Sequence, residues 1–227
     1  MSERVTNESK CYVDKTICKK AGTEACTDGC RAFILMEAIY SCSGIPKRYQ
    51  REKKLSPGTS DLESFKRLNE FKNNILNHVE EGEGVFLFSK GTGNGKTSWV
   101  CKIANEYIRK MLFTKEIDDL VYYVNTPELL ENLRRGYDDG EYDLITHKLK
   151  NAKIVIFDDI GAEKSTEWVR ERLYTLINHR VMEGLTTLYT SNLTIDEIRD
   201  NLGSRVASRI KEGNLFVELK GQDRRAL

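Results

Sequence analysis

An apolar run at 85–88 (VFLF) is followed by SKGTGNGKTS and then by a segment of helical spacing. Gly91, Gly93 and Gly95 let the backbone curl so that its N–H groups converge on a phosphate. A helix starting near Lys96 adds the positive end of its dipole. Lys96 would reach the β- and γ-phosphates of a nucleotide, and the Thr97 hydroxyl would ligate magnesium. Gly91, Thr92, Gly93, Asn94, Gly95, Lys96, Thr97 and Ser98 are therefore the candidate nucleotide-binding loop. The strict pattern of such loops has glycine at position 90; here it is Lys90, and the adjacent Gly91 is expected to supply the flexible entry.

A second apolar run, 154–157 (IVIF), ends in Asp158 and Asp159. The first carboxylate is placed to hold magnesium, directly or through water. The second is placed to orient or deprotonate an attacking water, which needs a carboxylate within hydrogen-bond reach. A third run, LTTLYTS, ends at Asn192, whose amide at a strand tip can bond the same water or the γ-phosphate. Arg205 and Arg209 stand four apart on one helical face. Arginine, planar and always charged, suits a phosphoryl transition state. Arg224 and Arg225 close the chain two residues from its end.

Five of the six cysteines fall within the first 42 residues. Cys11, Cys18, Cys26 and Cys30 are enough for a closed tetrahedral zinc site, although no C-x-x-C pair is present. Cys42 and Cys101 lie in apolar helical contexts and read as packing residues. His78, His147 and His179 form no Cys/His pattern that would indicate a nucleophilic thiol. The polar start MSERVTNESK has no apolar signal region, and the run at 32–35 is far too short to span a bilayer. A cytoplasmic protein is expected, where clustered cysteines hold metal more often than they form disulfides.

These residues need a scaffold. The chain has 227 residues, 39% hydrophobic and 31% charged, with a formal net charge of +1. That balance excludes a general polyanion binder, so any nucleic-acid contact must be a local patch. Composition divides the chain into a Cys-rich, zinc-binding head at 1–45, a basic linker at 46–60 and an ATPase domain at 61–227. A short helix is expected at 31–42. One amphipathic helix is expected from Asp61 to about residue 80, with Leu62, Phe65, Leu68, Phe71, Ile75, Leu76 and Val79 at spacings of three and four and Ser60 or Asp61 as N-cap. Short apolar strands at 85–88, 120–124, 154–157 and 185–190 then alternate with helices at 96–112, 126–134 and 166–181. Thr126 is expected to cap the second of these helices, and Thr194 with Glu197 has the spacing of a capping box. Such alternation predicts an α/β fold, a parallel sheet with helices on both faces.

GTGNGKT, IVIFDDIGAEK, LYTSNL and GSRVASRI, in this order, resemble the AAA+ ATPases of the DnaC/DnaI type, over residues 46–225. These are bacterial and phage replicative-helicase loaders, with the IstB transposition ATPases as close relatives, and the short head followed by IPKRYQ is most similar to phage-encoded members. The resemblance implies an AAA+ fold binding ATP and Mg²⁺, slow and assembly-dependent ATP hydrolysis, self-assembly through AAA+ interfaces, single-stranded DNA, and delivery of a hexameric replicative helicase gripped by a metal-binding head. Position by position it implies Lys96 and Thr97 as the phosphate and magnesium pair, Asp158 as the magnesium acid, Asp159 as the catalytic acid where many AAA+ proteins have Glu, and Asn192 as the first sensor. It also implies Arg209 as an arginine finger acting in a neighbouring subunit, Arg205 as its alternate and Arg225 as the second sensor. Alternatives are an IstB-like partner of a transposase and a nucleotide-switched helicase inhibitor without turnover. Tyr122, Tyr123 and Tyr137 are available for stacking on bases but read more readily as core or helix-face residues.

Overall fold

A strand buried on both faces is apolar for most of its length, as Gly84–Phe88 and Ile154–Asp158 here are, while Thr186–Ser191 buries the hydroxyls of Thr186, Thr187, Thr190 and Ser191. The computed structural model describes residues 18–20, 23–27, 29–50, 55–112, 120–135 and 141–221. In chain order the strands are β1 (Gly84–Phe88), β2 (Val121–Asn125), β3 (Ile154–Asp158), β4 (Thr186–Ser191) and β5 (Asn214–Glu218). They form one parallel sheet in the order β2-β3-β4-β1-β5, so β3, β4 and β1 lie at its centre. The helices are α1 (Arg31–Ser43), α2 (Lys47–Gln50), α3 (Leu62–Asn73), α4 (Ile75–Glu80), α5 (Lys96–Met111), α6 (Thr126–Arg135), α7 (Glu141–Asn151), α8 (Glu167–Met182), α9 (Ile195–Leu202) and α10 (Ser204–Lys211). Among the described residues, no helix is long and apolar enough to cross a membrane.

Alternation along each strand divides the core in two. Val85, Leu87, Ile154, Ile156 and Leu188 pack with Phe65, Leu68, Ile103 and Ile108 from α3 and α5. Phe86, Val155, Phe157 and Tyr189 pack with Leu130, Leu173, Ile177, Ile198 and Ile210 from α6, α8, α9 and α10. The expected α/β sheet with helices on both faces is therefore present, and β5 and α7 extend it beyond the expected elements.

Several local expectations are revised. The helix expected from 61 to 80 breaks at Asn74 into α3 and α4, and Leu62 and Leu76 face outward while Phe65, Leu68, Phe71 and Ile75 are buried. Asp61 precedes α3 but makes no side-chain cap; its Oδ1 instead accepts the backbone N–H groups of Lys220 (2.7 Å) and Gly221 (3.2 Å), tying the start of α3 to the exit of β5. At α6 the capping oxygen is Asn125 Oδ1, which accepts from Glu128 N, while Thr126 is the first helical residue. Thr166 caps α8, and Thr194 with Glu197 forms the expected capping box of α9.

The amino-terminal helix α1 ends at Gly44, whose φ of +70° lets the chain turn where a Cβ would lie 2.7 Å from the Tyr123 carbonyl oxygen. Met36, Tyr40 and Ile45 belong to the same core cluster as Phe65 and Ile103. Cys42, expected as core, is exposed; Cys101 is buried as expected, and burial pushes its thiol well up from its ordinary value. Within the basic stretch, Lys47 and Arg48 stand on α2, while Arg51, Lys53 and Lys54 lie outside the described residues. Arg180 is fully buried, and its guanidinium donates to Thr187 Oγ1, to the Leu149 and Ala152 carbonyls at the end of α7 and just beyond it, and to the Thr186 carbonyl on β4. It thereby satisfies acceptors at a helix end that the protein interior would otherwise leave unpaired.

Candidate nucleotide site

In a parallel sheet ligands bind beyond the carboxyl ends of the strands. Here β1 runs into the phosphate loop, β3 into Asp158 and Asp159, and β4 into Asn192. Between them lies a cavity of about 650 Å³ lined by Thr92 through Trp99, Asp158, Asp159, Thr190 and Asn192 on its polar side and by Tyr49, Leu55 and Phe65 among its less polar walls. The loop turns at Gly93 (φ +70°) and Gly95 (φ +97°). Gly91 does not supply the left-handed turn, and Lys90 needs none, since Asp159 is the one non-glycine residue with positive φ among the described residues. A lysine at position 90 is thus compatible with the loop, and its side chain is exposed.

Lys96 is 8% exposed, and its ammonium donates to Gly91 O (3.0 Å), Asn94 Oδ1 (3.4 Å) and Asn192 Oδ1 (2.8 Å). A buried cation at the mouth of a glycine-rich loop can bind an anion. Asn192 uses both ends of its amide, accepting from Lys96 and donating Nδ2–H to Asp159 Oδ1 at 2.9 Å. The amide therefore couples the phosphate-loop cation to the second carboxylate.

Asp158 is buried and accepts three hydroxyl donors. Thr97 Oγ1 (2.9 Å) and Thr190 Oγ1 (2.6 Å) bond Oδ1, and Tyr123 OH (2.7 Å) bonds Oδ2. A hydroxyl that donates its one proton to Asp158 still has lone pairs for a metal, so Thr97 fits a magnesium ligand, with Asp158 behind it as a hard oxygen donor. Asp159, half-buried, has φ +60°, and its N–H donates to Thr190 Oγ1 at 2.9 Å. Burial first, and then the neighbouring Asp158 charge, push its carboxyl above the usual range; Lys96 pulls partly the other way. A carboxylate poised upward beside the phosphate loop can take a proton from water. The turn that follows is locked by Ser191 Oγ donating to Ile160 O (2.6 Å) and Asn201 Nδ2 donating to Gly161 O (3.0 Å).

Lys96, Thr97, Asp158, Asp159 and Asn192, singled out from the sequence, thus meet in one place. Arg205 and Arg209 do not join them: neither lines this chain's own cavity. Both stand on α10 at Tyr174, Arg205 with its guanidinium carbon 3.8 Å from the ring centroid and Arg209 paired at 2.7 Å with Glu212. Arg225, Cys11 and Tyr137 lie outside the described residues. Cys18, Cys26 and Cys30 are not gathered. Cys18 packs against the core, Cys26 is buried and Cys30 precedes α1, and among the described residues no group of three or more His, Cys, Asp or Glu side chains is placed to hold a metal ion. The expected zinc site is accordingly not supported among the described residues; Cys11, its fourth expected ligand, lies outside them.

Thr190, Arg48, Tyr49 and Leu55 are not singled out by the sequence, and Tyr123 and Phe65 read there as a stacking or core residue and as a helix-face residue. Tyr123 and Thr190 sit on strands whose tips only the sheet order brings beside Asp158. The stretch containing Arg48, Tyr49 and Leu55 reads as a charged linker, yet all three line the cavity. Asn105 on α5 secures this segment, accepting from Tyr40 OH (3.1 Å) and donating to Tyr49 O (2.7 Å).

The family model of IstB-like ATP binding proteins matches residues 61–210. The replicative helicase loader DnaI of Bacillus subtilis (strain 168) is 31% identical over 179 residues, covering 73% of this chain and 55% of that protein. The chain spans about half the length of the curated relatives it matches. A crystal structure of the DnaC helicase loader superposes with a TM-score of 0.64 at 22% identity, covering 77% of this chain and 100% of the other. Domain III of the Thermotoga maritima replication initiation protein DnaA gives 0.61 at 20% identity, covering 80% and 70%. These structural likenesses show a shared AAA+ fold.

Proposed function

The chain belongs to the family of IstB-like ATP binding proteins, and from that premise we propose that it is an ATP-dependent loader of a hexameric replicative DNA helicase. One observation carries the nucleotide half of this reading: Asn192 joins Lys96 to Asp159, beside the Thr97–Asp158 pair. The family premise and the likeness to DnaI support the loader half.

Mg²⁺ would polarise the γ-phosphoryl group of bound ATP, which would pass to water as the bond to the β–γ bridging oxygen breaks and ADP leaves. Lys96 would donate to the β- and γ-phosphate oxygens. Thr97 would hold the metal through an oxygen lone pair while its O–H stays donated to the Asp158 carboxylate. Asp159 orients the water and takes its proton, and Asn192 fixes Asp159 from behind. Tyr49, Leu55 and Phe65 offer apolar surface to the base. Arg209, remote from its own cavity, serves the site of a neighbouring chain, so turnover depends on assembly. Single-stranded DNA is held within the assembly, and the protein works in the cytoplasm.

The test is deposition of a purified replicative helicase on circular single-stranded DNA, with and without ATP. The wild-type chain is expected to form a complex with the helicase and to promote deposition in ATP, and Lys96→Ala to fail. Absence of nucleotide binding overturns the ATP reading, and normal nucleotide binding with no helicase complex in either condition overturns the loader reading. A nucleotide switch without turnover would retain full deposition with Asp159→Ala.

A further inference from the structure

We propose that Tyr123 is a positioning residue for the magnesium site, acting on the metal through Asp158 and never touching the nucleotide. The inference rests on the ATP·Mg²⁺ reading above and deepens it. Tyr123 does not line the cavity. Its ring packs, half-buried, against the core on the α3–α5 side of the sheet.

The geometry follows from strand register. β2 and β3 run parallel with Tyr123 opposite Ile156 and Asn125 opposite Asp158. Alternate residues share a face, so Tyr123 projects on the same side as Asp158, two positions back along the sheet. A phenol spans that offset, and its hydroxyl meets Oδ2 at 2.7 Å. The other oxygen is claimed by Thr190 of β4 and Thr97 of α5. Donors from three separate elements thus restrain a carboxylate whose terminal torsion is otherwise broad. With the phenol removed, Oδ2 keeps only Thr97 Oγ1 at 3.3 Å, too long to hold it. The Tyr123 backbone is itself fixed from the other side, where the close approach of Gly44 sets the end of α1 against its carbonyl.

Residues that orient a metal ligand change metal affinity by about 10–100-fold when removed. The experiment is titration of Mg²⁺ against the full chain with a fluorescent ATP analogue, alongside binding of the same analogue in EDTA. Tyr123→Phe is expected to raise the Mg²⁺ concentration for half-saturation about tenfold, to leave affinity in EDTA unchanged and to melt a few degrees below the wild type, having lost a bond to a buried carboxylate. Tyr122→Phe, whose ring faces the opposite layer, is expected to match the wild type throughout. An unchanged Mg²⁺ requirement in Tyr123→Phe overturns the inference, as does an equal loss of affinity with and without Mg²⁺. If the wild-type chain binds the analogue no better with Mg²⁺ than in EDTA, the underlying nucleotide–metal reading fails and this inference fails with it.

Discussion

Replacing Asp159 by asparagine is expected to make the protein more stable and catalytically silent at once. The residue sits at φ +60°, a left-handed conformation that asparagine adopts as readily as aspartate. The amide preserves the local bonds, since its Oδ1 still accepts from Asn192 Nδ2 and its backbone N–H still reaches Thr190. What disappears is a charge that burial and Asp158 oppose. A carboxyl raised in the folded state binds its proton more tightly there than in the unfolded chain. The folded state is therefore penalised above that raised value, and the penalty vanishes as pH falls through it. Asp159 is only half-buried, so solvent screening keeps the penalty small, and its removal falls within the range of a single stabilising substitution, about 0.5–2 kcal/mol. For a domain of this size, about 1 kcal/mol moves Tm by roughly 2–4 °C. The variant is expected to melt about 1–8 °C above the wild type near pH 7.5, with the gap closing toward pH 4. Without the base, single-turnover hydrolysis falls by about 10²–10⁴-fold, while ATP affinity stays within about threefold. Thermal melts across pH 4–8 and quenched-flow turnover measure both halves. A variant that melts below the wild type at pH 7.5, or whose advantage is the same at both ends of the range, refutes the electrostatic reasoning.

Arg209→Ala is expected to retain ATP affinity while turnover falls by about 10³-fold, and the wild-type rate per chain is expected to rise with protein concentration; equal rates for variant and wild type count against action in a neighbouring site. Arg180→Met leaves the carbonyls of Leu149, Ala152 and Thr186 without their donor and is expected to cost about 3–5 kcal/mol in urea unfolding, with little change in nucleotide affinity if the chain is kept folded. Asn105→Ala loses bonds to Tyr40 and Tyr49 and is expected to cost about 2 kcal/mol; because Tyr49 lines the cavity, ATP affinity is expected to fall several-fold as well, read by the same fluorescent titration.

Periodicity and punctuation made much of the scaffold legible. The apolar runs ending at Phe88 and Asp158 carry no polar alternation, which a strand can sustain only when both faces are covered, and both are central strands; the Thr-rich run ending at Ser191 joins them at the centre. Thr194 and Glu197 announced the start of α9 through a bond pattern confined to four residues. The site residues read from sequence were likewise those in which a backbone turn, a strand end and a reactive side chain sit within a few positions. Lys90 shows what such a pattern encodes: position 90 needs no left-handed backbone here, so the loop keeps its shape without the expected glycine.

What stayed hidden depends on contacts between segments far apart in the chain. Asp61 has the composition and place of an N-cap, but the exit of β5, 159 residues on, offers N–H groups that need an acceptor and take the carboxylate instead. Asn74 carries no strong breaking signal, yet it ends α3 and divides a stripe that reads as one helix. The basic stretch after Pro46 has the charge of a solvated linker, but Asn105, two and a half turns along α5 from Lys96, holds Tyr49 at the cavity wall. Tyr123 has the strand propensity of any aromatic, and nothing within β2 reveals its role. Only the order β2-β3-β4 sets its hydroxyl and that of Thr190 on either side of Asp158. A sequence motif records the groups that must touch the nucleotide, because their spacing is local. The groups that hold those residues in place are chosen by topology, and their spacing in the chain is free to be anything that the sheet order allows.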